Sequence, residues 1–274
     1  MSDSVRGPLV FQGRRVLLKH HRLLDGVHRH PPNSVSALRA VLAGVAQAIE
    51  FDVRLTSDGV FVLIHDRTLD RETTGGGPVR QISRREIEAI RLRGADEPPA
   101  TLAEVVAVLQ DHRHPVKVQV DLVEEAPLSD VAARTLVDQL GVARGNPHVR
   151  IVLGCEDADK LLALRGVDRG LHVGLDVTAP FDAPEAEVSR RLGLVEDVSE
   201  YYMPKPFVLQ AIARGFNPVA FVHERKPDAL VDVWTLYADE PDIARTLWAA
   251  LTAGADQITT PAAIPLLEIF TRSY

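Results

Sequence analysis

Residues 48–66 read Ala48-Ile49-Glu50-Phe51-Asp52-Val53-Arg54-Leu55-Thr56-Ser57-Asp58-Gly59-Val60-Phe61-Val62-Leu63-Ile64-His65-Asp66. Over 48–55 the side chains alternate with the strand period, so Ile49, Phe51 and Val53 face one way and Ala48, Glu50 and Asp52 the other. Asp58-Gly59 is a two-residue turn signal, and the apolar run 60–64 reads as the returning strand of a hairpin. Pairing across that turn sets His65 against Asp52. Two carboxylates on one strand with a histidine brought back beside them would make a metal site with an acid/base group next to it. Taken alone, the same run reads equally well as an exposed hairpin with a polar wet face.

The chain around this run supplies a frame for it. Val16–His20 reads as a short strand. Val35, Leu38, Leu42 and Val45 recur at helical spacing behind Ser34 or Asn33, either of which can cap. Thr101 and Glu104 have capping-box spacing at the head of a helix over 101–109. Strand readings then alternate with helical ones, the strands starting near 16, 48, 116, 150, 171, 200, 231 and 256. Strands joined by helical crossovers run parallel, and eight of them predict a (β/α)8 TIM barrel with the hairpin as an excursion at its mouth. Such a barrel needs about 250 residues, so the 274 residues form one domain. Segments 66–100 and 178–230 exceed ordinary βα loops and read as a small insertion and a lid.

Composition narrows the function. Hydrophobic residues make up 46% and charged residues 25%, as in globular proteins generally, and the net charge of −7 argues against a nucleic-acid partner. No apolar run approaches the ~20 residues of a membrane span, and the N-terminus has no apolar core of a signal peptide, so the expected location is cytoplasmic. The lone Cys155 rules out an internal disulfide and reads as a buried structural thiol.

Barrel strands are buried on both faces, so polar residues at their C-terminal ends call for a reason. Glu50 and Asp52 close the second barrel strand, and Asp121 closes Val116-Lys117-Val118-Gln119-Val120-Asp121. Three carboxylates without a Cys or His-rich tract favour one hard divalent cation, Mg2+ or Ca2+. Arg22 offers a planar fork for phosphate oxygens. Trp234, at a strand end, serves either as an apolar wall against substrate or as core packing. Of His20 and His21, alternation turns only one toward the site.

In order and spacing, these segments resemble the glycerophosphodiester phosphodiesterase family. Its pattern is matched by His21-Arg22, by Pro31-Pro32-Asn33-Ser34, by Glu50 through Asp66 and on to Leu69-Asp70-Arg71-Glu72-Thr73-Thr74, by Val231-Asp232-Val233-Trp234-Thr235-Leu236 and by Gly254 through Pro261. The resemblance runs from about residue 16 to 262. It implies a TIM barrel that uses a divalent cation to cleave a small glycerophosphodiester to sn-glycerol 3-phosphate and an alcohol. It also assigns His21 and His65 as the acid/base pair.

Several positions depart from the pattern. Leu23 replaces the Gly of its His-Arg-Gly, Pro32 the Glu of its Pro-Glu-Asn-Thr, Asp121 the Glu and Val123 the phosphate-facing Lys of its Glu-x-Lys, Tyr237 an Asn and Thr260 the last Asp. Lys205, Arg54 or His223 are the residues that could restore the missing charge. A lysophospholipase D-like enzyme is the neighbouring reading, favoured if the cleft continues as an apolar channel. A non-catalytic phosphoester-binding barrel is the reading from another class. The losses at 32 and 123 support it, and joint retention of Glu50, Asp52, His21 and His65 opposes it. The oligomeric state is not legible.

Overall fold

A short antiparallel ribbon, β1 (Leu9–Phe11) with β2 (Arg14–His20), opens the computed structural model, which describes residues 8–178 and 184–273. β3 (Ala48–Leu55) follows α1 (Val35–Ala43), which Ser34 caps by accepting from the Ala37 N–H at 3.0 Å. After the two-residue strand β4 (Phe61–Val62) come α2 (Arg84–Glu88) and α3 (Leu102–Gln110), the latter closed at its head by the expected Thr101/Glu104 capping box. The alternation then runs β5 (Val116–Leu122), α4 (Asp130–Arg144), β6 (Val149–Cys155), α5 (Ala158–Val167), β7 (Val173–Asp176), α6 (Pro184–Leu192) and β8 (Glu200–Pro204). It ends with α7 (Lys205–Ala213), α8 (Pro218–Arg225), β9 (Leu230–Trp234), α9 (Ile243–Ala253), β10 (Gln257–Thr260) and α10 (Ala263–Ser273).

The parallel strands follow one another around the sheet as β2, β10, β9, β8, β7, β6, β5 and β3, and β3 pairs back onto β2. This is the closed (β/α)8 barrel read from the sequence. Its wall buries Ile49, Phe51 and Val53, the apolar set of the alternating run, in the large core cluster with the helices. Segment 66–100 has a small core of its own, in which Leu69, Val79, Ile87 and Leu92 pack with Val62 and Ile64. Segment 178–230 contains α6, β8, α7 and α8, so one strand of the barrel wall and three helices lie within it. Residues 179–183 within it lie outside the described residues, as does the N-terminal stretch 1–7 read for a leader. Among the described residues no helix is long and apolar enough to cross a membrane.

The hairpin register differs from the expected one. Leu55 stands opposite Phe61 and Arg54 opposite Val62, one residue away from the pairing that sets His65 against Asp52. The reason is the turn. Thr56 N–H donates to Val60 O at 2.9 Å and Val60 N–H to Thr56 Oγ1 at 2.9 Å, leaving Ser57-Asp58-Gly59 as a three-residue loop with Gly59 at φ 81. Three-residue loops with a left-handed last residue are the next choice after the two-residue turn.

The barrel interior is polar, in layers. Lys117 and Glu200 form an ion pair at 2.7 Å, and Gln257 Nε2 donates to Glu200 Oε2 at 2.9 Å. Nearer the C-terminal ends, Lys19 Nζ lies 2.6 Å from Asp232 Oδ2, donates to Gln119 Oε1 and stands 4.5 Å from the Tyr202 ring centre. The Tyr202 ring needs two glycines beside it: a Cβ on Gly174 would lie 2.1 Å from its hydroxyl, and one on Gly154 3.1 Å from its edge. Gly174→Ala should therefore overpack the interior and cost about 1–3 kcal/mol, measured as a fall in Tm; an unchanged Tm would mean that the Tyr202 ring is not fixed there.

Candidate active site

A cleft of about 580 Å3 opens at the C-terminal end of the barrel and is lined by all seven residues read from the sequence as site residues: His21, Arg22, Glu50, Asp52, His65, Asp121 and Trp234. Parallel register sets Asp52 directly beside Asp121 on β3 and β5. With Glu50 they offer carboxylate oxygens all within 4.8 Å of one another. Burial, then Asp52 and Asp121, push Glu50 well above the usual carboxylate range. Burial, then Asp52 and Asp176, raise Asp121 to about 7. A concentration of buried negative charge with only oxygen donors fits a hard divalent cation.

His21 is presented by a tight turn rather than by the strand itself. Residues His21–Leu23 form a 3-10 turn in which Arg22 and Leu23 have φ of 53 and 65. Leu23 carries a side chain in a left-handed conformation that glycine adopts without strain, and burial of that side chain (1% exposed) offsets the cost. The turn sends the Arg22 N–H to Glu50 Oε2 at 2.8 Å and brings His21 Nε2 to 4.0 Å from the same oxygen. Arg22 Nε stands 3.4 Å from Asp52 Oδ2. Burial first, then the charges of Arg22, His65 and Lys19, lower His21 to about 3, so its ring is neutral near pH 7. His20 turns away and bonds Leu24 O through Nδ1 at 3.0 Å, as alternation requires.

His65 reaches the cleft beyond the end of β4, held from three sides. Its carbonyl accepts from Arg54 Nε at 2.8 Å, its N–H points to Glu72 Oε2 at 3.4 Å, and its Nδ1 lies 2.9 Å from Asp66 Oδ1. Arg71 forks onto Asp66 at 2.5 and 2.6 Å and, ahead of all other causes, holds that carboxyl well below the usual range. His65, Asp66 and Glu72 also converge closely enough to be considered as ligands, but the Arg71 guanidinium already serves as their cation.

The site has members that the sequence reading passed over. Asn33, fully buried at φ 57, donates from Nδ2 to Asp52 Oδ2 at 2.8 Å, and its Oδ1 accepts from the Asp52 N–H at 3.3 Å. Its signal was the Pro-Pro-Asn-Ser run, which was read as a helix cap and as a match to the family pattern but not as a site residue. Asp176, raised by burial to about 6, ends β7 on the same rim; an acidic residue closing a barrel strand was the available clue. Of the three proposed substitutes for a lysine at 123, only Arg54 lines the cleft, and Glu125 binds it at 3.1 and 3.3 Å. Lys205 is paired with Glu240, and His223 sits 2.8 Å from Asp256, just before β10 and so at the opposite end of the barrel. Cys155 is a buried thiol pushed up to about 11 by burial, as its structural reading requires.

These carboxylates set a pH dependence. Folding raises Asp121 from 3.8 to about 7, so the folded state binds the proton more tightly than the unfolded one. That contribution to stability is complete below the unfolded value and is lost as pH rises through about 7. In chelator, Tm should fall between pH 5 and 8; added Mg2+ should restore it most at pH 8, where the protons no longer compete. A Tm in chelator that rises over this range would contradict the buried cluster.

Comparison with known proteins agrees with the geometry. The family model for the glycerophosphoryl diester phosphodiesterase family matches residues 26–235. Probable glycerophosphodiester phosphodiesterase 2 of Mycobacterium tuberculosis is 27% identical over 98% of this chain and 96% of its own length. Mouse glycerophosphodiester phosphodiesterase 1 is 33% identical over 49% of this chain, a match that spans only 42% of the mouse protein. Among solved structures, a putative glycerophosphoryl diester phosphodiesterase from Silicibacter pomeroyi superposes with a TM-score of 0.74 at 21% identity, over 98% of this chain and 96% of that one. An Oleispira antarctica phosphodiesterase, solved with the product sn-glycerol-3-phosphate, superposes with a TM-score of 0.70 at 17% identity, over 93% and 96%. With three-quarters of its length inside that family model, this chain belongs to the glycerophosphoryl diester phosphodiesterase family.

Proposed function

We propose that the protein hydrolyses a glycerophosphodiester to sn-glycerol 3-phosphate and an alcohol, using one divalent cation and the His21/His65 pair. The observation that carries this reading is the convergence of two histidines and three buried carboxylates on one cleft. Glu50, Asp52 and Asp121 would hold Mg2+ or Ca2+, with Asn33 and the Arg22 N–H fixing two of the three. When bound, the cation supplies positive charge against the negative charge that grows on the phosphate oxygens.

The residues divide the remaining work. Arg22 is placed to grip phosphate beside Asp52. His21, neutral near pH 7, is in the form that takes a proton from the attacking hydroxyl, which belongs either to water or to a neighbouring substrate carbon, the second route giving a cyclic phosphate that water then opens to sn-glycerol 3-phosphate. As the new oxygen–phosphorus bond forms, the bond to the alcohol oxygen breaks, and that oxygen needs a proton. This second transfer falls to His65, whose ring Asp66 and Arg71 orient. The cleft lining is mostly charged and polar, which favours a short alcohol over the acyl chain of a lysophospholipid.

His21→Ala and His65→Ala should each lower turnover of glycerophosphocholine by roughly 10²-fold or more, followed as release of sn-glycerol 3-phosphate with Mg2+ present. A near-normal rate in either variant removes that histidine from the chemistry. Wild-type protein that binds sn-glycerol 3-phosphate yet releases none from choline, ethanolamine or glycerol diesters would be a binding barrel instead.

A further inference from the structure

The cations around the cleft are unequally placed. Arg54 and Arg67 share the Glu125 carboxylate, and Lys160 donates to the backbone carbonyls of Glu124 and Glu125. Val123 lines the same cleft and brings no charge. Lys19 differs from all of these. It is 1% exposed, stands two residues before His21 on the inward face of β2, and forms part of the cleft floor. Its ammonium reaches across the barrel between Gln119 on β5 and Asp232 on β9, over the Tyr202 ring.

Its counter-ion is set apart from the carboxylates above it. Asp232 is on β9, with β10 and β2 between it and β3 in the sheet, and both of its oxygens accept from Thr259 Oγ1 at 2.9 Å. Lys19 itself lies next to those carboxylates: β2 pairs with β3, and Gln119, which accepts from its ammonium, stands opposite Glu50 in register and two residues before Asp121 on β5. Its charge opposes the upward push on Glu50 and Asp121 and contributes to keeping His21 neutral. Buried charges interact strongly because little water screens them.

We propose that Lys19 is a positioning residue, a fixed cation under the active site that draws the phosphate group into the cleft and limits how tightly Glu50, Asp52 and Asp121 grip their cation. The proposal rests on the phosphodiesterase reading for the ligands it names. It predicts effects of opposite sign on two ligands, whereas a residue that merely props up the barrel would weaken both.

The test is calorimetric. Mg2+ is titrated alone, and sn-glycerol 3-phosphate is titrated at saturating Mg2+, into wild type, Lys19→Met and Asp232→Asn. Lys19→Met should weaken sn-glycerol 3-phosphate by about fivefold or more and tighten Mg2+ by a similar factor. Asp232→Asn, which leaves Lys19 without its counter-ion, should do the reverse, and it carries the test if Lys19→Met fails to fold. Affinities that fall together, or stay unchanged, in the variants that fold overturn the proposal. If the wild type binds neither ligand, the phosphodiesterase reading itself falls and the proposal with it.

Discussion

Three carboxylates buried side by side repel one another and resist losing their protons, and the rest of the molecule is arranged around that cost. The parallel register of β3 with β5 creates the problem by setting Asp52 beside Asp121. Asn33, the Arg22 N–H and Lys19 relieve it in part, each from a different segment. None of them neutralises three charges. A divalent cation would offset two of the three, and that links the fold to the proposed chemistry: the barrel holds the ligands together at an electrostatic cost that a bound cation would lower.

How much of this was legible follows from where the physics is local. Strand alternation over 48–55, the capping box at Thr101 and the run Val116–Leu122 are decided within a few residues, and the structure has them as read. The hairpin register was not legible, because Thr56 Oγ1 closes a three-residue loop in competition with the Asp-Gly turn. The strand Glu200–Pro204 was legible only as a start near 200, because five residues give little periodicity to read. The layered interior was legible in principle. Lys117, Gln119 and Asp121 alternate along β5, and Lys19 precedes His21 by two, but their partners Glu200 and Asp232 lie far away in sequence.

The departures from the family pattern sort by consequence. Leu23 is tolerated because its buried side chain compensates for a left-handed backbone. Asp121, one carbon shorter than a glutamate, still joins the cluster. Val123 brings no charge to the cleft, while Lys19 brings one at its floor. Under the proposed function, the positive charge on the phosphate would come from below and from Arg22 rather than from the strand end.

The most direct measurement is a crystal structure of the protein soaked in Ca2+. The account predicts one ion bound by Glu50, Asp52 and Asp121 at about 2.3–2.6 Å, with Arg22 and both histidines facing it. An ion held instead by His65, Asp66 and Glu72, or carboxylates that stay apart with no ion between them, would contradict it.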